Sequence, residues 1–251
     1  YTIEREFSRR GYEVILCNTG GDRAETLRYL QAVNQKQVDG IVLVGSVFDT
    51  ICQGAEMEKL LSGVPVVLAN GKLDLPNAYS VTVDDKYGVS LAVEHLVARG
   101  RKSIYYIKDR DTDSAKSKRD GFLEAMRRNG LEFADHVLEA GETLASGMET
   151  VQALLAQGIV PDGIVCGEDL TAAGALKALL RAGLRVPEQV AVVGFNNSDY
   201  AHLCEPVLTS VDNKPEQVAL LCVQLLESSI ERSEAYSSVV LQPELAQGET
   251  S

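Results

Sequence analysis

Residues 190–197 read VAVVGFNN, and residues 205–211 read EPVLTSV. The first segment is a run of apolar, mostly β-branched residues that ends in Gly-Phe and two side-chain amides. This pattern is typical of a buried parallel strand that opens into a polar loop. In open α/β sheets, small ligands bind at the carboxyl ends of such strands. The second segment follows too soon for a helical crossover, so we expect the chain to leave one lobe for another there.

On both sides of this segment, strand-like runs alternate with helix-like runs. Strands are predicted at residues 12–17, 39–44, 64–69, 79–83, 103–107, 135–139, 163–166 and 238–241. Alternation of this kind is the signature of parallel sheets covered by helices. The sequence therefore predicts an α/β fold of two doubly wound parallel-sheet lobes, joined by crossover strands and separated by a cleft.

The predicted domain division follows from the point at which the alternation restarts. The N-terminal lobe is expected to comprise residues 1–84 and 213–236, and the C-terminal lobe residues 85–212 and 237–251. The first strand of such a lobe is normally central to its sheet, yet this sequence begins on a helix. A sheet without its central strand would leave backbone hydrogen bonds unmade, so we expect the natural protein to have residues upstream of Tyr1.

The composition argues against several classes of protein. The chain has 251 residues, of which 45% are hydrophobic and 24% charged, as in soluble globular proteins. No apolar run approaches the roughly 18 residues that a membrane-spanning helix needs, so no membrane interaction is predicted. The net charge of -12 argues against nucleic-acid binding through the surface of this chain.

The sequence shows no metal-site spacing, cofactor fingerprint or catalytic set. The five cysteines form no C-x-x-C pair and indicate free thiols in a reducing compartment. The three histidines, His95, His136 and His202, lack metal-ligand spacing. Neither of the glycine-rich phosphate-binding patterns nor the serine-nucleophile motif occurs. Glu168 and Asp169 are adjacent at one strand end, so their side chains point away from each other and do not form a catalytic carboxylate pair. Because no catalytic set or cofactor motif remains, we predict no enzyme activity and no cofactor.

An ordered set of short motifs carries a family resemblance. The motifs are RGYEV (10–14), VDGIV (38–42), VPVVL (64–68), VDD (83–85), HLVARGRKSI (95–104), RDGF (119–122), PDGI (161–164), GLRVP (183–187) and the two segments quoted first. Together they resemble the LacI/GalR family of transcriptional regulators over nearly the whole chain. The resemblance implies a dimeric, cytoplasmic sensor core like a type I periplasmic binding protein. It also implies a helix-turn-helix headpiece that binds operator DNA, and this headpiece is not in the sequence.

The resemblance further implies an effector site and a dimer contact. The site residues, carried over by position, are Ser46, Asn70, Lys118, Thr143, Glu168, Asp169, Asn196 and Asn213. Lys118 stands where the family has an Arg that grips oxygen atoms with a planar fork. Asn196 stands where sugar-binding members have an Asp, and an amide accepts through one oxygen without charge. These departures argue against an ordinary free sugar. The implied dimer contacts are Ala173, Tyr200, Leu203 and Cys204.

Three functional hypotheses follow from these observations. The first is the effector-sensing and dimerisation core of a bacterial transcriptional repressor, which binds a sugar, sugar phosphate or similar polar ligand in the interlobe cleft to control DNA binding. The second is a solute-binding protein that serves a transporter. The third is a regulator that is controlled mainly by a protein partner. The sequence names neither the effector nor the operator.

Overall fold

The computed structural model describes residues 1–231 and 237–251, which divide into two compact units. Unit 1 comprises Tyr1–Val83, Thr112–Ser114 and Lys214–Leu241, and unit 2 comprises Asp84–Asp111, Ala115–Asn213 and Gln242–Ser251. Each unit is built on one largely parallel sheet, so the predicted α/β class is confirmed. Within the described ranges, no helix is both long enough and apolar enough to cross a bilayer.

Helices and strands alternate along most of the chain. The helices are α1 (Thr2–Arg9), α2 (Arg23–Gln35), α3 (Phe48–Ile51), α4 (Ala55–Leu61), α5 (Asp85–Ala98), α6 (Asp113–Arg128), α7 (Leu144–Ala156), α8 (Asp169–Arg181), α9 (Asp199–His202) and α10 (Pro215–Glu231). The strands are β1 (Ile41–Val44), β2 (Val66–Ala69), β3 (Ala78–Val83), β4 (Ile104–Lys108), β5 (Val137–Glu139), β6 (Gly163–Cys166), β7 (Ala191–Phe195), β8 (Thr209–Asp212), β9 (Val239–Leu241) and β10 (Glu244–Ala246).

The sheet of unit 1 has the strand order β1-β2-β3-β9, and every neighbouring pair is parallel. A parallel strand that is covered on both faces needs apolar residues at consecutive positions, and β2 is buried throughout. On one face, Val67 and Val81 pack against Phe7 of α1 and Cys222 of α10. On the other face, Leu68 packs with side chains of α2 and α4.

Two predictions about unit 1 are wrong. Residues 12–17 form no strand, because a strand requires a neighbouring backbone and no described segment pairs with them; Ile15 and Leu16 of this segment are exposed. Residues 237–241 lie in unit 1 and not in the C-terminal lobe, because β9 pairs in parallel with β3. Residues 112–114 also lie in unit 1. The predicted boundary at residue 236 falls outside the described residues.

The sheet of unit 2 has the strand order β10-β8-β7-β6-β4-β5. Strand β10 runs antiparallel to β8, and all the other pairs are parallel. On one face, α5 and α6 pack on the sheet around the rings of Phe122 and Phe195. On the other face, α7 and α8 pack around Ile107 and Ile164. These two apolar layers fix the sheet, so that its carboxyl edge can carry polar groups.

The prediction that residues 205–211 carry the chain from one lobe to the other is wrong, because they lie in unit 2 and end in its sheet. Strand β8 pairs in parallel with β7, with Val211 opposite Phe195. The connection between them contains only the one-turn helix α9, which is enough because a parallel crossover needs about a dozen residues and not a long helix. The chain passes from unit 2 to unit 1 after Asn213, and this residue therefore stands at the carboxyl end of a strand.

The last turn of α5 carries His95, whose ring is engaged at both nitrogens. Arg99 donates to Nδ1 at 3.0 Å, so the neutral ring carries its proton on Nε2, which lies 2.8 Å from Ser251 Oγ. Burial, followed by the charge of Arg99, lowers the pKa of His95 from 6.5 to about 4.

Stability is therefore expected to fall as the pH drops from 6.5 towards 4. In that window the unfolded chain binds a proton at His95 and the folded protein does not, so acid favours unfolding. With a discount for partial exposure of the ring, the free energy of unfolding should fall between pH 7 and pH 5 by about 1 kcal/mol more in the wild type than in His95→Gln. Urea denaturation of both proteins at the two pH values measures this difference, and equal falls would show that His95 is not its source.

Candidate functional site

Polar side chains collect at the carboxyl edge of the sheet of unit 2. Asp109 follows β4, Glu168 follows β6, Asn196 follows β7 and Asn213 follows β8. These four strands are neighbours in the order β8-β7-β6-β4, so their carboxyl ends are adjacent. This is the place at which open α/β sheets bind small ligands.

Four of the predicted site residues form one connected set, which we call the polar network: Lys118, Glu168, Asn196 and Asn213. Lys118 Nζ lies 3.7 Å from Glu168 Oε1. The Asn196 side-chain amide donates to Glu168 Oε2. The Asn213 amide in turn donates to Asn196 Oδ1 at 2.7 Å. The structure thus brings together a residue of α6 and residues from three strand ends.

The ammonium group of Lys118 lies below the surface, with the side chain 7% exposed. It donates to the carbonyl oxygen of Gly167 at 2.9 Å and lies 3.9 Å from the centre of the Phe195 ring, a cation–π contact. A buried ammonium requires such partners. Lys118 therefore supports the loop that carries Glu168, in addition to its place in the polar network.

Glu168 occupies the position just before α8 and lies between two cations. Lys118 approaches Oε1 at 3.7 Å, and Arg110 Nε approaches the same oxygen at 3.9 Å. Burial raises the pKa of Glu168, and the charge of Lys118 opposes this effect without cancelling it. The carboxylate of Glu168 is thus only partly compensated by the positive charges around it.

Asp169, the next residue, is 1% exposed and binds inside the protein. Its carboxylate accepts from Ser198 N–H at 2.7 Å, from Ser198 Oγ at 2.8 Å and from Ser210 Oγ at 2.6 Å. The glycine of the VAVVGFNN segment makes room for it, because a Cβ at Gly194 would collide with Asp169 Oδ1. These contacts suit a residue that holds the loop after β7 against β8.

The backbone of that loop has positive φ at both amides. The φ angles are 105° at Asn196 and 51° at Asn197, and Asn is one of the few non-glycine residues that enter this region readily. Asn197 N–H also donates to Ser210 Oγ at 2.9 Å. Two asparagines in succession therefore satisfy the backbone and also place the Asn196 amide in the polar network.

Three polar residues at this edge were not predicted from the sequence: Asp109, Arg110 and Glu142. A cavity of about 260 Å³ opens there, lined by Asp109, Arg110, Glu142, Glu168, Leu170, Thr171, Asn196, Ser198 and Tyr200. Asp109 is buried and accepts from Thr171 Oγ1 at 2.9 Å, and burial raises its pKa. Its position directly after an apolar strand could have revealed it, since small ligands bind at the carboxyl ends of such strands in open α/β sheets. No cluster of acids, cysteines and histidines in the described ranges is arranged to hold a metal ion.

The remaining predicted site residues are not members of the polar network. Thr143 is the N-cap of α7, and its Oγ1 accepts from Ser146 N–H at 3.1 Å, which explains its presence without a ligand. Ser46 and Asn70 follow β1 and β2 at the carboxyl edge of the sheet of unit 1. Within the described residues, Asn70 Oδ1 is buried and has no hydrogen-bond partner.

The residues predicted for a dimer contact lie on α8, on α9 and just beyond it. Tyr200 and Leu203 are 51% and 80% exposed, so two large apolar side chains face solvent. Ala173 and Cys204 are half-buried, and Cys204 Sγ donates to the carbonyl oxygen of Tyr200 at 3.2 Å.

Known proteins similar to this chain agree with this fold. A family model described as a periplasmic binding protein-like domain matches residues 93–251. An HTH-type transcriptional regulator of Lachnoclostridium phytofermentans is 32% identical over 229 residues, which are 90% of this chain and 69% of the relative.

Two solved structures extend the similarity. A LacI transcriptional regulator from a Rhodococcus species is 30% identical with a TM-score of 0.85, covering 99% of this chain and 91% of that chain. A complex of the transcriptional regulator CelR with cellobiose is 27% identical with a TM-score of 0.88, covering 100% of this chain and 77% of that chain. The chain therefore belongs to the LacI/GalR family of transcriptional regulators and comprises its periplasmic-binding-protein-like, effector-binding core.

Proposed function

We propose that this chain senses a small polar effector at the carboxyl edge of the unit 2 sheet and so controls operator binding by a bacterial transcriptional regulator. The observation that carries the proposal is the polar network, which lies beside a cavity of about 260 Å³ lined by two of its members, Glu168 and Asn196. That volume is slightly below the range of pockets for drug-sized molecules and suits a smaller ligand.

The polar network retains hydrogen-bonding capacity. Asn213 Oδ1 is buried and has no partner among the described residues. Glu168 Oε1 has Lys118 at 3.7 Å and Arg110 at 3.9 Å, both longer than a charge-assisted hydrogen bond. A buried polar group without a partner costs free energy, so a ligand that hydrogen-bonds to these atoms would gain affinity from them.

Ligand binding at this edge could affect both units, because the chain passes from unit 2 to unit 1 here. Asn213 is the last residue of its segment of unit 2, and Lys214 begins a segment of unit 1. A ligand at Asn213 therefore acts where the chain changes unit, and it shifts a conformational equilibrium to the extent that it prefers one state. We further propose that the regulator is a homodimer that uses the exposed Tyr200 and Leu203, since large exposed apolar side chains favour association.

A thermal-shift screen against sugars, sugar phosphates, polyols, nucleosides and purines tests the proposal. At least one class should raise the melting temperature, because a ligand that binds the folded state stabilises it in proportion to RT ln(1 + [L]/Kd). Asn196→Ala should weaken that ligand by about tenfold or more, because it removes a link between Glu168 and Asn213. Asn129→Ala, just beyond the last residue of α6, is the matched control and should bind as the wild type does.

Two outcomes would contradict the proposal. A folded wild-type protein that responds to no class in the screen would argue against sensing of a small effector. A ligand whose affinity is unchanged in Asn196→Ala would bind somewhere other than this edge.

A further inference from the structure

We propose that the effector carries a primary amine together with hydroxyl groups, as an amino sugar does, and that its ammonium group binds between Glu168 and Asp109. This inference rests on the function proposed above and specifies the chemical class of the ligand. It is carried by the charges that line the cavity and by the hydrogen-bonding groups beside them.

Carboxylates outnumber cations in the lining of the cavity. Asp109, Glu142 and Glu168 line it, and among the described residues Arg110 is the one cationic side chain that does. Arg110 pairs with Glu142 at 3.2 Å and remains 3.9 Å from Glu168. Once this pair is counted as neutral, Glu168 and Asp109 still face the cavity with negative charge.

Lys118 supplies one positive charge near Glu168, so of the three carboxylates that line the cavity one is left without a matching cation. The Lys118 ammonium donates to the carbonyl oxygen of Gly167 at 2.9 Å and remains 3.7 Å from Glu168 Oε1. A charge-assisted N–H···O bond measures about 2.7–2.9 Å, so a ligand ammonium could approach Glu168 Oε1 more closely than Lys118 and Arg110 do. Burial raises the pKa of both Glu168 and Asp109, as expected for carboxylates whose charge is not fully compensated.

A buried hydroxyl beside Asp109 also lacks a partner. Tyr106 is 0% exposed, and its hydroxyl has no hydrogen-bond partner among the described residues. An ideal Cβ at Gly167 would stand 3.2 Å from this hydroxyl and 2.9 Å from Asp109 Oδ1, so both oxygens lie close to Gly167. The Tyr106 hydroxyl is therefore an unpartnered polar atom close to Asp109, although Tyr106 itself is not among the residues that line the cavity.

These groups select among the classes of polar ligand. A phosphate group would be repelled by Glu168 and Asp109. A neutral sugar would satisfy the hydrogen bonds but not the charge. An ammonium group can donate to both carboxylates, while a neighbouring hydroxyl oxygen accepts from the amides of the polar network.

Binding of matched hexose derivatives to the unmodified chain tests the inference. The probes are D-glucosamine, D-galactosamine and D-mannosamine, the three corresponding neutral hexoses, and their 6-phosphates, each examined by thermal shift and isothermal titration calorimetry. At least one amine should bind about tenfold more tightly than its neutral counterpart, and the phosphates should give no shift. Glu168→Gln and Asp109→Asn should each lower the affinity for the amine by about ten- to a hundredfold. Glu188→Gln removes an exposed carboxylate away from the cavity and should leave the affinity unchanged.

The outcomes separate this inference from the function on which it rests. Equal or tighter binding of a neutral hexose or a phosphate would overturn the amine and leave effector sensing in place. An amine whose affinity is unchanged in both Glu168→Gln and Asp109→Asn would also overturn it, provided that circular dichroism shows the variants folded. If none of the nine probes binds, the amino-sugar assignment is wrong, and the broader screen described above decides separately about the sensor.

Discussion

Gly174→Ala is expected to destabilise the protein by about 3 kcal/mol. At most helical positions the same change would stabilise the helix by about 1 kcal/mol. In the middle of α8, however, the added Cβ would collide with the carbonyl oxygen of Leu144 and would stand 2.9 Å from Met148 N. Both are backbone atoms of α7. The clash therefore cannot be relieved by rotation of a side chain and would require the whole helix to move.

A glycine is also required on the facing helix, α7. A Cβ at Gly147 of α7 would collide with the carbonyl oxygen of Thr171 in α8. The two helices therefore pack backbone against backbone at two points. Because α8 starts directly after Glu168, pushing the helices apart would also displace the polar network, and Gly174→Ala should weaken effector binding as well as stability.

Urea denaturation of Gly174→Ala beside Gly63→Ala measures the effect. A Cβ at Gly63 would have no atom within 4 Å, and its φ is not positive, so this control should be neutral or slightly stabilising. If the two variants were equally stable, α7 and α8 would have room to separate, and the close approach would not be essential.

Most strands of the two sheets could be predicted, because a buried parallel strand is a continuous run of apolar residues. Residues 163–166 coincide with β6, whose four residues are all buried. Strand β10 was not predicted because its short segment becomes a strand by pairing antiparallel with β8, and that edge exists only in the folded sheet. The segment 12–17 shows the converse, since an apolar run without a partner forms no strand.

The site could be predicted as far as its location at the ends of strands. Glu168 and Asp169 are adjacent and chemically alike, yet one lines the cavity and the other is enclosed by serine donors. The difference depends on Ser210, 41 residues further along the chain, whose approach to Asp169 follows from the pairing of β8 with β7. Sequence spacing carries no information about such a contact.

Asp169→Ala is accordingly expected to cost about 3 kcal/mol of unfolding free energy. The change removes the acceptor of three hydrogen bonds, which come from Ser198 N–H, Ser198 Oγ and Ser210 Oγ. A buried donor that loses its acceptor incurs its desolvation cost in full, so the loss exceeds that of an exposed carboxylate. Asp199→Ala, which removes an exposed acid nearby, is the control and should change the unfolding free energy by less than about 0.5 kcal/mol.

A double-mutant cycle with Ser210→Ala identifies the cause. If the cost arises from orphaned donors, the double variant should be less destabilised than the sum of the single variants by about 1 kcal/mol, because no hydroxyl is left at position 210 to be orphaned. Strict additivity would mean that the two side chains do not interact, contrary to the 2.6 Å contact. The loop that Asp169 holds through Ser198 is the loop that carries Asn196. A cycle with strong coupling would therefore show that the contact of Asp169 with Ser210 stabilises the fold and ties this loop to β8.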